Sequence, residues 1–432
     1  QSHFFGFTSD IPYYYPINDY HDLTIKPKFS QKKNPSLFVE HRKNFFDGEI
    51  ISEFSGTIEN RETDKLKENV TRGHIKSRGN FDITDNIFLD FQLERTTDRN
   101  YLNTYKYGYS GILESNLKLS SYNKNNFYSF QSFSFQDLRK DFDRKKTPKV
   151  LPRIVLDLNS DFKLNKINHS TKIELANIQR TEGNETKKFF LSHKLFYPFI
   201  SPDGTLVTFD SQFNTGLYHI SKYENPVSGT FDYDEIRGNI YPEFSVLLSK
   251  PFSKSNNQYT SIIEPKVMYF FSNKNAFNRK IPDESNINNF NLDFSDFFNK
   301  NRLSGNDRSD SSSRIDYALS FQKTSNQVMK TTSIEVGQSY QFEKEKYIHS
   351  NSGINDRFSD VVGKISFIPN ESINLDSHLV IDKENYSLKT AYSNLMVNIK
   401  DSYFGLSHIH SPPVINFDGN NEISGKNQFS LN

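Results

Sequence analysis

The chain has 432 residues, with 53 Lys and Arg against 52 Asp and Glu and a formal charge of +1. That balance argues against a protein devoted to nucleic acid, which carries a clear basic excess. The absence of cysteine excludes disulfides, thiolate metal sites and a cysteine nucleophile. Only 34% of residues are hydrophobic, yet 40 Phe and 23 Tyr contradict the aromatic-poor composition of disordered chains. No apolar run approaches the roughly 18 residues of a membrane helix, and no signal peptide opens the chain. A start at Gln1 reads as a processed chain or a fragment.

Along the chain the period is two. Ile87, Leu89, Phe91 and Leu93 alternate with Phe88, Asp90, Gln92 and Glu94. Ile154, Leu156, Leu158, Phe162 and Leu164 alternate with Asp157, Asn159, Asp161 and Lys163. The pattern returns over Val207–Leu217, Ile315–Phe321, Ile334–Phe342 and Ile373–Ile381. Successive strand side chains point to opposite faces, so each segment has one apolar and one polar side. Turn signals punctuate them at Thr84-Asp85-Asn86, Glu182-Gly183-Asn184, Ser201-Pro202-Asp203-Gly204 and Pro369-Asn370-Glu371-Ser372. The segments run about 9–13 residues, longer than usual soluble strands, and about 20 of them fit. A tilted strand needs roughly 9–11 residues to cross a bilayer core.

This is an all-β chain with two possible homes. One is a large antiparallel transmembrane barrel with short periplasmic turns and long extracellular loops. The other is a soluble all-β protein, either tandem sandwiches or a solenoid, although no fixed repeat is evident. Aromatic clusters at Phe189, Phe190, Phe196, Tyr197 and Phe199, at Tyr269, Phe270 and Phe271 and at Phe290, Phe294, Phe297 and Phe298 suit an interfacial girdle, although Trp is absent. The longest connection spans about Asn273 to Ser313 and holds an aromatic patch; a loop of that length is usually functional or mobile, and it would cap the barrel or fold over its lumen.

Catalytic signals are poor. No phosphate-binding glycine loop, nucleophile elbow or zincin motif occurs. His408 and His410 share a strand face and suit a metal pair, but no third ligand is evident. A rim hydrolase using His378, His408 or His410 has no supporting spacing. A basic run comprises Arg139, Lys140, Arg144, Lys145, Lys146, Lys149 and Arg153. It suits phosphate contact, but Asp141 and Asp143 sit within it, and a solvated loop is the simpler reading.

The first forty residues are the most distinctive. Ile11-Pro12-Tyr13-Tyr14-Tyr15-Pro16-Ile17-Asn18, then Asp22-Leu23-Thr24-Ile25-Lys26-Pro27, resembles the opening barrel strands of the lipopolysaccharide-assembly outer-membrane family (LptD, also called OstA). Pro12 and Pro27 keep the family spacing; Tyr15 stands at the family's Trp position, and Pro16 is shifted from its inner proline. Arg72-Gly73-His74, Gly79-Asn80-Phe81-Asp82, Arg95, Asp98, Tyr101 and Leu102 resemble a further family segment. So do Leu151-Pro152, Ile281-Pro282-Asp283-Glu284-Ser285, Asn301 to Arg308, Gly337-Gln338-Ser339-Tyr340 and Arg357-Phe358-Ser359-Asp360. Their order along nearly the whole chain makes the match, closest to alphaproteobacterial members.

The resemblance implies transport rather than catalysis, in the outer membrane of a Gram-negative bacterium and without a cofactor. It implies that residues 1–10 end a periplasmic region and that 11–432 form the barrel domain. The family's jellyroll before the barrel and its closing strands are expected to be missing from this stretch, since Gln428-Phe429-Ser430-Leu431 reads as the start of another strand. Lipopolysaccharide would arrive from an LptA-type bridge through the jellyroll, pass an LptE-type lipoprotein plug, and leave sideways into membrane lipid. The gate would be Pro12, Pro16 and Pro27, because proline lacks an N–H and removes a ladder bond; the plainer reading is ordinary edge or turn prolines. The lumen face would include Asp157, Asn159, Asp161, Glu264, Lys266, Glu335, Asn374 and Asp376, which otherwise merely hydrate an interior. A porin-like channel, an outer-membrane hydrolase and a soluble adhesin are the alternatives.

Overall fold

A side chain that alternates between apolar and polar neighbours at every second residue satisfies a strand and no other regular element. The computed structural model describes residues 4–63, 66–108, 110–140, 142–159, 167–222, 234–273, 281, 290–309, 313–328, 330–344, 352–399, 402–411, 414–415, 422–423 and 426–431. Among them lie ten strands before residue 160: β1 (Thr8–Asp10), β2 (Tyr13–Asn18), β3 (His21–Ser30), β4 (Ser36–Phe45), β5 (Gly48–Thr63), β6 (Leu66–Thr84), β7 (Ile87–Thr96), β8 (Ile112–Asn123), β9 (Asn126–Asp137) and β10 (Lys149–Asn159). There follow β11 (Asn168–Gln179), β12 (Glu185–Ile200), β13 (Leu206–Ser221), β14 (Glu235–Ser249), β15 (Phe252–Ser255), β16 (Tyr259–Ser272), β17 (Arg314–Ser325) and β18 (Thr331–Gln341). The last are β19 (Val361–Asn370), β20 (Ile373–Ile381), β21 (Leu388–Ile399), β22 (Ser402–Ser411), β23 (Val414–Ile415), β24 (Glu422–Ile423) and β25 (Lys426–Leu431). The strands β23 and β24 pair only with each other; the other 23 belong to one antiparallel sheet. The one α-helix among the described residues, α1, is Tyr101–Tyr105.

Several strands outrun the sequence expectation. The strands β5, β6, β12 and β13 have 16, 19, 16 and 16 residues, more than the roughly 9–11 that cross a bilayer core. Alternation alone does not mark where a strand stops, because polar residues on both faces still pair through the backbone.

Two compact units divide the chain: 1–161, 171–191 and 217–237 form the first, and 162–170, 192–216 and 238–432 the second. In the first, an unbroken antiparallel series runs from β2 to β10. Two-residue turns at Asp19-Tyr20, Phe46-Asp47, Asp85-Asn86 and Lys124-Asn125 join strands at one edge. Lys124 takes a positive φ of 53°, as such tight hairpins demand. The longer connections, 31–35, 97–111 and 138–148, lie at the opposite edge.

In the second unit β14 pairs with β16, and the series continues β16–β17–β18–β19–β20–β21–β22–β25. Here the polarity of burial is inverted relative to a soluble protein. Asp210, Asn214, Glu243, Ser245, Arg314, Asp316 and Ser339 are buried, while Phe213, Ile240, Phe244, Val267, Leu319 and Val336 on the alternate positions are exposed. Leu319 is 53% exposed and its neighbour in sequence on the other face, Ala318, 8%. A continuous exposed apolar face of this extent fits lipid and not water.

Packing cores form on the polar face, under the long connections. In the first unit Phe5, Tyr101, Leu102, Tyr105, Leu113 and Leu138 cluster. In the second, Phe290, Leu292, Phe297, Leu303, Ile354, Val362 and Val380 do so, with Phe294 and Phe298 packed against them, so these four aromatics fill a core and not the expected girdle. The described part of the 273–313 connection thus folds over the polar face of its unit. A five-residue helix such as α1 is unstable in isolation, so its tertiary packing holds it.

Candidate functional site: the proline hairpin and the polar face

The proline hairpin comprises β1, β2 and β3. Pro12 lies between β1 and β2, outside any ladder. Pro16 faces Asp22, next to a register shift between Pro16 and Asn18, and Pro27 faces Leu37 of β4. The Pro27 carbonyl still accepts from the Ile11 N–H at 3.2 Å. The prolines therefore act at three different places: a strand break, a bulge and a ladder interior. Every residue of β2 is exposed, including Tyr13, Tyr14, Tyr15 and Ile17, and among the described residues β3 is its ladder partner. An edge strand with apolar residues on both faces is a pairing surface.

The predicted polar-face residues fall as follows. Glu264, Ser320, Glu335, Lys364 and His378 form one cross-strand row over β16 to β20. Glu264 pairs with Lys266 at 3.1 Å and accepts from Ser249 Oγ at 2.5 Å. Asp376 faces Ser366 and Asn394, and Asn374 faces Met396. In the first unit Asn159 Nδ2 donates to Asp157 at 3.2 Å. Asp161 lies outside the described residues. One strand turn from Asp157, Arg153 meets Glu174 at 3.0 Å and Lys188 meets the same carboxylate at 3.1 Å.

The basic run is not a uniform cationic patch. Arg139 pairs with the buried Asp137 at 2.7 Å, and Lys145 pairs with Glu182. Arg144 Nε donates to the Asp137 carbonyl at 3.2 Å. Lys140 offers its carbonyl to Arg99 at 2.7 Å. Lys146 begins no strand, and Lys149 opens β10 as an exposed residue. His408 and His410 both lie against Asn427 Oδ1, at 3.1 and 2.9 Å.

Two anchoring clusters gather residues of the family-like segments, Arg72, His74, Asp98 and Tyr101 in one and part of Asn301 to Arg308 in the other, into contacts that the sequence does not show. In the first unit Arg72 of β6 meets Asp98 with two nitrogens, at 2.8 and 2.9 Å, and Glu59 with a third at 2.6 Å. Its guanidinium lies 5.6 and 5.8 Å from the ring centres of Tyr101 and Tyr105. His74 Nδ1 and the Tyr101 hydroxyl both hydrogen-bond Ser55 Oγ, at 2.5 and 2.7 Å. Lys76 donates to the Tyr107 carbonyl at 3.0 Å. Burial raises the carboxyl of Asp98, but Arg72 outweighs it and holds Asp98 below the usual range. The connection carrying α1 is clamped by charges that persist across physiological pH.

In the second unit the 290–309 segment is anchored by Lys300, which donates to Asp210 and Gln212, both at 2.5 Å. Burial pulls the Lys300 ammonium down, with Asp210 opposing. The Ser309 hydroxyl donates to Glu243, and Tyr241 donates to the Asn306 carbonyl at 2.9 Å. Arg314 has no exposed surface. It pairs with Asp316 at 3.1 Å, donates to the Asn299 carbonyl and lies 4.3 Å from the Phe270 ring centre. At Gly337 an added Cβ would sit 3.2–3.3 Å from Tyr317 O, Ala318 Cβ and the Phe297 ring, so the ring packs where only glycine leaves room.

Sheet, inverted burial and charge-lined polar face together define an outer-membrane β-protein. A family model described as LptD, LPS transport system D, matches residues 70–432. The chain belongs to the LptD family. It is 23% identical over 356 residues to the LPS-assembly protein LptD of Idiomarina loihiensis, covering 78% of this chain and 44% of that protein. It is 24% identical over 326 residues to the LPS-assembly protein LptD of Methylococcus capsulatus, covering 71% and 30%. The chain thus spans less than half the length of these relatives.

Proposed function

We propose that this chain is the membrane portion of a lipopolysaccharide translocon, in which lipopolysaccharide leaves sideways past β2 and β3. The observation that carries this reading is the hairpin: an edge strand exposed on both faces, with prolines at a break, a bulge and a ladder position. Membrane backbone groups must be paired, so a seam that opens needs a ladder already weakened. Pro16 and Pro27 remove N–H donors from it and Pro12 interrupts the strand before it.

In each unit the polar face, with Asp157 and Asn159 in the first and Glu264, Lys266, Glu335, Asn374 and Asp376 in the second, then offers sugar a wet surface, while acyl chains stay at the apolar wall. An LptE-type plug would dock on this face, and an LptA-type bridge would deliver through a jellyroll. Of the basic run, Lys140, Arg144 and Lys149 are the best phosphate contacts, because Arg139 and Lys145 already hold carboxylates.

The test is photocrosslinking in envelopes of a host carrying the full-length gene, with probes at Tyr14 and Ile25. ATP-dependent lipopolysaccharide adducts at these positions are expected. A correctly inserted protein with no adduct at either would overturn the gate and leave a passive channel as the better reading.

A further inference from the structure

We propose that the 290–309 segment is a displaceable strap over the polar face of the second unit, latched at its leading end by Asp293 against His378 and loosened as pH rises out of the mildly acidic range. This does not depend on what the protein transports.

The strap is unevenly held. Its trailing part is fixed by Lys300 to β13, by Asn306 and Ser309 to β14 and by Arg314 at the start of β17. Among the described residues, its leading part is tied to the rest of the unit through Asp293 and Leu292 and is closed on itself by a cap. Asp293 Oδ1 lies 3.2 Å from His378 Nδ1 on β20. The Leu292 N–H donates to the Ser352 carbonyl at 2.9 Å. Asp293 and Asp296 close a reciprocal cap on the short 3₁₀ turn Phe294–Asp296: the Asp293 N–H donates to Asp296 Oδ2 at 2.8 Å, and Asp293 Oδ2 accepts from Ser295 Oγ at 2.8 Å. Beneath them Leu292 and Phe297 pack on Ile354, Val362 and Val380.

The leading end is therefore two carboxyls and an imidazole. Burial opposes ionisation of Asp293, but Ser295 and His378 outweigh it and keep the group ionised. Burial, with the Asp293 charge adding to it, pushes Asp296 up to about 6. Arg302 and Arg314 face Asp296 and pull the other way. Lys364 of β19 and Tyr392 of β21 stand opposite His378 in the ladder, and Asp376 lies two residues along on the same face.

The sign follows from linkage. Asp296 keeps its proton to a higher pH latched than released, where the ordinary value is 3.8. Its contribution to the latched state is full below that value and is lost as pH rises through about 6. At neutral pH two carboxylates share one short turn, and the two arginines keep release partial.

These 432 residues contain no cysteine, and any cysteine elsewhere in the full-length protein is first replaced by serine, so that one introduced thiol reports alone. Leu292→Cys, buried in the strap, and Glu371→Cys, exposed in the β19–β20 turn, are alkylated by a water-soluble maleimide in the full-length protein in outer-membrane vesicles. The ratio of the two rates cancels the reagent's own pH dependence. The ratio is expected to rise several-fold from pH 5.5 to 7.5. In the Asp296→Asn background, which retains the acceptor for the Asp293 N–H, the rise should largely vanish. A ratio independent of pH in the parent, or an unchanged rise in Asp296→Asn, would overturn the latch.

Discussion

The connection carrying α1 and the 290–309 segment do the same job in their respective units and are built from different chemistry. Each lays aromatic and aliphatic side chains on a polar sheet face that has no apolar core of its own. The α1 connection is fastened by Arg72, a cation at every accessible pH, against Asp98 and Glu59. The 290–309 segment is fastened by Arg314 and Lys300 at one end and by titratable groups at the other. The difference teaches that a polar sheet face can be covered permanently or conditionally, and that the choice lies in whether every fastening charge is fixed.

The largest effect should come from breaking the fixed fastening. Arg72→Ala leaves Asp98 partly buried without its cation, while Glu59 keeps Lys33 at 2.9 Å, and should cost about 3 kcal/mol in denaturant unfolding of the detergent-solubilised protein. Arg72→Lys keeps the charge but loses the two-nitrogen fork on Asp98, so it should fall between the two. Equal costs for Lys and Ala would mean the geometry, and not the charge, holds the connection.

Next is Phe297→Ala in the other segment. It removes a ring that packs over Gly337 and should cost about 3 kcal/mol by the same measurement. Gly337→Val should cost about 1–3 kcal/mol by overpacking. A third comparison separates the fastenings by pH. Asp98 is held below the usual carboxylate range, so its contribution is present above that range and is lost only in stronger acid. Amide exchange at α1, corrected for the intrinsic rate, should be flat between pH 5.5 and 7.5, whereas exchange at Leu292 and Asp296 should quicken. Parallel profiles in the two regions would remove the distinction between them.

Much of this arrangement could be read in the sequence, and its limits are instructive. Alternation over Ile315–Phe321 and Ile334–Phe342 gave the strands and their faces because strand periodicity is local. The long 273–313 connection was legible as a segment folding over the sheet from its length and aromatic content. The fastenings were not legible. Arg72 meets partners 13 and 26 residues away, and Asp293 meets His378 across 85 residues. Such pairs depend on cross-strand register, which no local pattern encodes. In the sequence Pro12 and Pro27 keep the family spacing and Pro16 does not, but nothing local gives the backbone setting of any of the three. Only the ladder separates a strand break from a bulge and from a residue inside paired β3.

The smallest effect is expected in the basic run, where the comparison sharpens between charges that fasten and charges that do not. Lys145 and Glu182 form an ion pair with both side chains largely in solvent, 61% and 44% exposed. Exposed pairs gain little, because water and salt screen them and two long side chains must be ordered. Lys145→Ala should leave the unfolding midpoint unchanged within error at low and high salt. Arg144 differs in kind: its Nε–H reaches the Asp137 carbonyl at the end of β9, while the rest of the guanidinium borders the open cleft formed by Thr97, Asp98, Arg99 and Asn100. If the run serves phosphate and not stability, Arg144→Gln should also leave unfolding nearly unchanged yet weaken retention of phosphorylated lipid vesicles at low salt, with the deficit fading as salt rises. A stability loss at Arg144 equal to that at Arg72 would place it among the fasteners instead.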